Sequence, residues 1–209
     1  SRLRTAVDEF DFNTYVRAIT DFCNEDLSAF YFDIRKDVLY CEVNAATGVQ
    51  TDKRRAYRTV LDTLFHALVR WLSPVLVFTS EEVWGAPYPD AESVHLLEWP
   101  LIDTEWMEDA ALEAKWAALR ILRETVTEAI EPLRREKVIG SSLEAEVTVP
   151  ADTDPALLAE LFIVSSAKRG DELSVAKTDK HKCGRCWRLL PEVKADGDLC
   201  ERCEGVVHG

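Results

Sequence analysis

The chain reads as a mainly α protein in three parts: a helical bundle over 1–140, a small α+β junction module over 141–177, and a compact metal-binding module over 178–209. Three observations predict this. Apolar residues recur every three or four positions through the first two thirds of the 209 residues. At Glu144-Ala-Glu-Val-Thr-Val-Pro150 the pattern changes to strict alternation, the period of a half-buried strand. The end of the chain carries two Cys-x-x-Cys pairs, Cys183-Gly-Arg-Cys186 and Cys200-Glu-Arg-Cys203, separated by thirteen residues.

The elements follow in order. Phe12, Tyr15, Val16, Ile19, Phe22 and Cys23, continued by Leu27, Phe30, Tyr31, Ile34 and Val38, form one apolar stripe and predict a long or kinked helix. A loop marked by Asn44, Gly48 and Asp52 separates it from a second helix. There the stripe is Tyr57, Val60, Leu61, Leu64, Phe65, Leu68 and Leu72, with Arg54, Arg55, Arg58, His66 and Arg70 on the other side. Ser73-Pro74 interrupts the pattern, and a short third helix is predicted over 75–84, ending near Gly85. Pro87, Pro89, Pro100 and Asp103 make 86–104 an ordered loop whose Val94, Leu96, Leu97 and Trp99 are expected to lie against the helices. Leu112, Trp116, Leu119, Leu122, Val126, Ile130 and Leu133 predict a fourth, long helix that Pro132 bends, the four together forming one bundle. Beyond the strand at 144–150, Pro155–Leu161 reads as a short helix, and 162–167 and 172–176 as two further strands.

Four cysteines in two such pairs fit a tetrahedral, closed, structural zinc site, because each two-residue spacer aims both sulfurs at one ion. Cys183, Cys186, Cys200 and Cys203 are therefore the candidate ligands. Two disulfides would need an oxidising compartment, whereas the chain opens Ser-Arg-Leu-Arg without an apolar leader and has no run long enough to span a bilayer. A cytoplasmic location is expected. Paired thiolates also hold iron in rubredoxin-type sites, and His181 or His208 offers an alternative ligand, but four sulfurs already complete a zinc shell. Cys23 and Cys41 belong to no motif and read as small buried hydrophobes.

The net charge of −13 rules out a uniformly cationic surface, yet the charges are segregated. From Trp71 to Ala114 there are ten Asp or Glu and no Lys or Arg; Lys53 to Arg70 holds five basic residues against Asp62, and 177–188 five against Asp179. A basic zinc knuckle that includes an aromatic residue, Trp187, points to nucleic acid. No phosphate loop, nucleophile elbow or histidine pair suited to a catalytic metal occurs, and Glu81-Glu82, adjacent on a helix, face different ways.

Several segments carry a family resemblance. Residues 26–40, Asp-Leu-Ser-Ala-Phe-Tyr-Phe-Asp-Ile-Arg-Lys-Asp-Val-Leu-Tyr, and 67–84, Ala-Leu-Val-Arg-Trp-Leu-Ser-Pro-Val-Leu-Val-Phe-Thr-Ser-Glu-Glu-Val-Trp, resemble the anticodon-binding bundle of class I aminoacyl-tRNA synthetases for branched aliphatic amino acids. Residues 137–145, Lys-Val-Ile-Gly-Ser-Ser-Leu-Glu-Ala, are similar to the segment closing that bundle in the isoleucine and valine enzymes. The Lys182-Cys-Gly-Arg-Cys-Trp187 knuckle with its second Cys-x-x-Cys resembles the terminal ribbon of bacterial isoleucyl-tRNA synthetases. The resemblance covers almost the whole chain and implies their C-terminal portion: an anticodon-binding domain plus a zinc ribbon, a monomer, docking isoleucine tRNA. The His-Ile-Gly-His and Lys-Met-Ser-Lys-Ser signatures of the family's ATP-binding catalytic domain are absent, so this chain alone is expected to be inactive as an isoleucine-tRNA ligase.

On this reading the candidate tRNA contacts are Arg54, Arg55 and Arg58 on the second helix, Arg134, Arg135 and Lys137 after the long one, and Lys180, Lys182, Arg185, Trp187 and Arg188 around the metal. A solvated surface is the competing reading of each basic residue. For Trp187, packing beneath the metal is favoured over stacking on a base, because tiny zinc modules have little other core. Two other classes stay open: the zinc-ribbon part of a formamidopyrimidine-type DNA glycosylase, which would need an N-terminal proline nucleophile where this chain has Ser1-Arg2, and a protein-interaction scaffold using the acidic 71–114 stretch.

Overall fold

The computed structural model describes residues 2–44, 49–101 and 109–208; Gly48 and Asp103, read above as loop markers, lie outside them. The chain divides into two compact units, Ser1–Asp33 with Arg55–Met107, and Ile34–Arg54 with Glu108–Gly209.

The first unit opens with α1 (Arg2–Asp8), a helix of seven residues, too short for periodicity to reveal. Phe10 at φ 57° turns the chain, and the Asp11 carboxylate caps α2 (Phe12–Asp21) by accepting from the Thr14 amide at 3.0 Å. Helical winding continues without a break to Cys41, as the stripe predicts, but Phe22–Phe32 is wound as a π-helix before α3 (Asp33–Cys41). Tyr15, 1% exposed, donates its hydroxyl to the Trp71 carbonyl at 2.6 Å and joins Ala6, Ile19, Trp71, Leu72, Trp99 and the partly buried Cys23 in one core.

A second core in this unit joins α4 (Asp52–Leu72) to α5 (Val77–Gly85) through Val69, Trp84 and Val94, with Phe65, Tyr88 and Leu97 around them. Trp84 and Tyr88 rings lie 4.5 Å apart, and the Trp84 indole donates to the Glu92 carbonyl. The described part of the 86–104 loop, up to residue 101, is thus tied down as expected through Val94, Leu97 and Trp99. Leu96 is the exception: it stands out to solvent on a 3-10 turn.

In the second unit, α6 (Ala110–Arg135) is capped by Asp109, and Pro132 falls in its last turn. From the sequence α6 reads as the fourth member of one bundle; in the structure it groups with the C-terminal elements. It packs on α7 (Pro155–Phe162) and donates the Arg123 guanidinium to the Leu161 carbonyl. The sheet order is β2-β1-β3, with β1 (Ala145–Val149) parallel to β2 (Ser166–Arg169) and antiparallel to β3 (Ser174–Lys177). The alternation read from the sequence is real: Ala145, Val147 and Val149 are buried, and Glu146 and Thr148 alternate with them on the more exposed face.

The predicted strand over 162–167 is corrected. Phe162 ends α7, and Ile163 at φ 55° is its left-handed cap, with the Val164 amide returning to the Ala159 carbonyl, so β2 starts only at Ser166. The β-branched Ile-Val pair suggested a strand, but the helix cap governs the backbone there.

Glu146 fastens the sheet to the segment entering the four-cysteine module. It accepts from Lys180 Nζ at 2.7 Å and Thr178 Oγ1 at 3.0 Å, with Lys168 Nζ at 3.6 Å. The Lys180 hydrogen bond, opposed by partial burial and aided by Thr178, holds its carboxyl down at about 2. A depressed carboxylate stabilises the fold above its unfolded value and loses that contribution as pH falls toward the folded one. Wild type is therefore expected to lose stability relative to Glu146→Gln between about pH 4.5 and about pH 2, in urea melts of both proteins across that window. Taking the difference between variants cancels metal loss in acid.

Candidate metal centre and nucleic-acid interface

A two-residue-per-strand hairpin, β4 (His181–Lys182) with β5 (Leu189–Leu190), presents the first cysteine pair at its tip. The Cys183 amide donates to the Arg188 carbonyl at 2.9 Å, and the Trp187 amide returns to the Cys183 carbonyl at 3.0 Å, folding the spacer into a knuckle. Gly184 is required there, because a Cβ would meet the Gly197 carbonyl oxygen at 2.4 Å. The second pair opens α8 (Glu201–Val207), where the Cys200 amide donates to Cys183 Sγ at 3.3 Å.

All four sulfurs lie within 4.8 Å of one another, and Cys186 and Cys200 are 3.8 Å apart. Zn–S bonds of about 2.3 Å in a tetrahedron put sulfurs about 3.8 Å apart, so the cluster has the size of a four-thiolate zinc shell. The donor chemistry agrees. Burial opposes ionisation of Cys183, but the amides of Cys186, Arg185 and Cys200 outweigh it and hold the thiol down at about 6. Burial pushes Cys203 up to about 12 and Cys186 higher still, with neighbouring thiolates adding to both shifts. Four crowded cysteine sulfurs, three of them in buried residues, are held together as thiolates only around a cation.

The knuckle arginines point inward to the protein. Arg185 donates to Cys41 Sγ at 3.2 Å and to the Tyr40 carbonyl at 3.2 Å, with Cys203 Sγ at 3.7 Å. Arg188 lies 3.7 Å from the Asp37 carboxylate. Arg202, which the sequence reading passed over, pairs with Asp37 at 2.8 Å and Glu42 at 3.0 Å. Cys41 is buried as expected, but within the same cluster as the four candidate ligand cysteines, and its thiol is pushed up to about 11 by burial and then by Asp37. Lys180 is engaged by Glu146. Arg185, Arg188 and Lys180 thus serve internal contacts, a role their basic sequence context concealed.

Other candidates face solvent. Trp187 is 61% exposed at φ 65°, which corrects the expectation that it packs beneath the metal; the core under the knot is made instead by Cys41, Val193, Leu190 and Leu199. Lys182 Nζ lies 5.2 Å from the centre of the Trp187 ring, so the hairpin tip offers an aromatic face beside a cation. Arg134, Arg135 and Lys137 line a concavity of about 550 Å³ with Glu131, Ile139 and Gly140. Arg134 pairs with Glu131 at 2.8 Å on its rim. Arg55 and Arg58 are exposed on α4, while Arg54 is half-buried and donates its amide to Thr51 Oγ1 at 3.2 Å. Two groups of candidates therefore converge in space: the Arg134, Arg135 and Lys137 concavity, and the Lys182 and Trp187 tip.

A family profile described as the anticodon-binding domain of tRNA ligase matches residues 1–149. The chain belongs to that family. Among similar curated proteins, the isoleucine–tRNA ligase of Zymomonas mobilis subsp. mobilis is 54% identical over 98% of this chain and 23% of its own length. That of Agrobacterium fabrum is 47% identical over 93% of the chain and 22% of its length, and that of Gluconobacter oxydans 44% over 91% and 21%. The chain thus spans under a quarter of the length of these isoleucine–tRNA ligases. Among the described residues, no helix is long and apolar enough to cross a membrane.

Proposed function

We propose that this chain is the tRNA-gripping part of a cytoplasmic isoleucine–tRNA ligase, with 1–140 as the anticodon-binding bundle, 141–177 as junction and 178–209 as a ribbon closed by one structural zinc on Cys183, Cys186, Cys200 and Cys203. The observation that carries the reading is the anticodon-binding match over 1–149, supported by 54% identity to an isoleucine–tRNA ligase over 98% of the chain. The chain acts as a monomer. It docks the anticodon stem-loop of isoleucine tRNA and so holds the acceptor end in register with ATP-dependent chemistry supplied elsewhere in the ligase, which is catalysis by positioning. By itself it does not charge tRNA.

The concavity at Arg134, Arg135 and Lys137 suits backbone phosphate, which sets register, and the Lys182–Trp187 tip suits an unpaired base, since an indole face accepts any base and the ammonium meets its phosphate. Holding a large aromatic side chain at positive φ costs about 1–2 kcal/mol and Trp187 recovers little of it by burial, which fits a residue kept for contact rather than stability. Trp187→Ala is expected to leave metal content and melting temperature unchanged while weakening anticodon stem-loop binding roughly 5- to 150-fold, the range for loss of one stacked base. Unchanged RNA affinity in that variant would remove the tip from the interface.

A further inference from the structure

Both Cys-x-x-Cys spacers carry an arginine, and both arginines reach the same end of α3: Arg185 at Tyr40 and Cys41, Arg202 at Asp37 and Glu42. The Arg202 pairs are partly desolvated, with side chains of Arg202, Asp37 and Glu42 only 25%, 30% and 21% exposed. The connection continues past Glu42. Its carbonyl accepts from the Thr51 amide at 3.4 Å, and Thr51 Oγ1 in turn accepts from the Arg54 amide in the first turn of α4. Val43 pairs with Gln50, and the Asn44 amide donates to the Val49 carbonyl, so Glu42 and Thr51 close one end of a narrow antiparallel ladder. An unbroken series of contacts therefore runs from the second metal knuckle, through Arg202 and Glu42, to the helix that carries Arg54, Arg55 and Arg58.

We infer that Arg202 is a positioning residue through which the closed metal knuckle sets the end of α3 and the first turn of the arginine helix α4. Arg202 sits between Cys200 and Cys203 at the start of α8, so an ion shared by both sulfurs anchors its backbone at each side. Without that hold, Asp37 and Glu42 lose the cation they share, and two partly desolvated carboxylates drawn to one guanidinium are left to repel. The ladder that caps α4 then loosens. Coupling of this kind is reciprocal, so disturbing Arg202 also weakens metal binding although Arg202 is no ligand. The RNA consequence rests on the function proposed above; the ordering of α4 does not.

The test is amide hydrogen exchange over residues 49–56 of the whole chain, zinc-loaded and after chelation, in wild type, Arg202→Met, Arg202→Lys and Glu42→Gln. Chelation is expected to raise exchange at the Thr51 and Arg54 amides at least about tenfold, as local opening of a capped helix start does. Arg202→Met is expected to do the same with one zinc still bound, and to weaken zinc affinity about tenfold, the scale seen for groups that orient metal ligands. Arg202→Lys restores part of the protection. Glu42→Gln lies outside the ribbon and reports the same coupling should Arg202→Met fail to retain zinc. At saturating zinc, Arg202→Met also lowers the salt dependence of stem-loop binding, which a loss of stability alone would leave alone. Unchanged exchange at Thr51 and Arg54 in both Arg202→Met and Glu42→Gln overturns the inference. Absence of RNA binding by wild type overturns the functional proposal instead, and leaves the exchange result to decide this one.

Discussion

Cys200→Ala is expected to release the metal and unfold residues 178–208 while α6 and the β1–β3 sheet persist. Structural zinc contributes about 10–16 kcal/mol of apparent binding free energy in small modules at neutral pH, far more than so short a segment gains from burial. The apolar part of the ribbon core is Cys41, Val193, Leu190 and Leu199, packed around the sulfurs themselves. Three remaining thiols, two of them resisting ionisation through burial and neighbouring charge, do not reconstitute the shell. Metal content of the purified variant and its far-ultraviolet dichroism check this. A full equivalent of zinc retained by Cys200→Ala would contradict the ligand assignment, and a cooperative loss of all helix would contradict the separateness of the ribbon.

The triple replacement Arg134→Ala, Arg135→Ala and Lys137→Ala is expected to weaken anticodon stem-loop binding roughly a hundredfold at low salt and to flatten the logarithmic salt slope by about 2, at about 0.7 for each phosphate no longer neutralised. Stability should fall by no more than about 1–2 kcal/mol, since the Arg134–Glu131 pair is exposed and the remaining loss is favourable charge at a helix C-terminus. Binding measured at two salt concentrations separates the cases. Lower affinity with an unchanged slope would mean that the concavity shapes the protein without touching phosphate.

How much of this was legible in the sequence depends on the range of the interaction. Periodicity located α2, α3, α4 and α6 because apolar residues recur along one side of each; α5, which buries only Ser80 and Trp84, was placed by the Ser73-Pro74 break and Gly85, and alternation located β1 because Ala145, Val147 and Val149 share a face. The clustering of Cys183, Cys186, Cys200 and Cys203 was legible because two Cys-x-x-Cys turns constrain spacing along the chain. The π winding of Phe22–Phe32 was not, since it changes hydrogen-bond register without changing which residues are apolar. Nor was the start of β2, where the cap at Ile163 overrides a β-branched pair.

The basic residues were the least legible. Charge patterning marks Arg185, Arg188 and Lys180 as cations but says nothing of the Tyr40 carbonyl and Cys41, of Asp37, or of Glu146, which lie far away in sequence and engage them in that order. Arg202 had one available signal, its place as the counterpart of Arg185 in the second spacer. Trp187 was misread because small metal modules lack core, whereas here Cys41 from α3 helps to supply it.

The most direct measurement is binding of the zinc-loaded chain, at two salt concentrations, to the anticodon stem-loop of an isoleucine tRNA, to that of a valine tRNA, and to a DNA duplex containing an abasic site. Tighter binding to the isoleucine stem-loop than to either competitor, lost in part with Trp187→Ala and with the Arg134, Arg135 and Lys137 replacement, is the expected result. Preference for the duplex, or no binding to either stem-loop, would contradict the assignment of this chain to tRNA recognition.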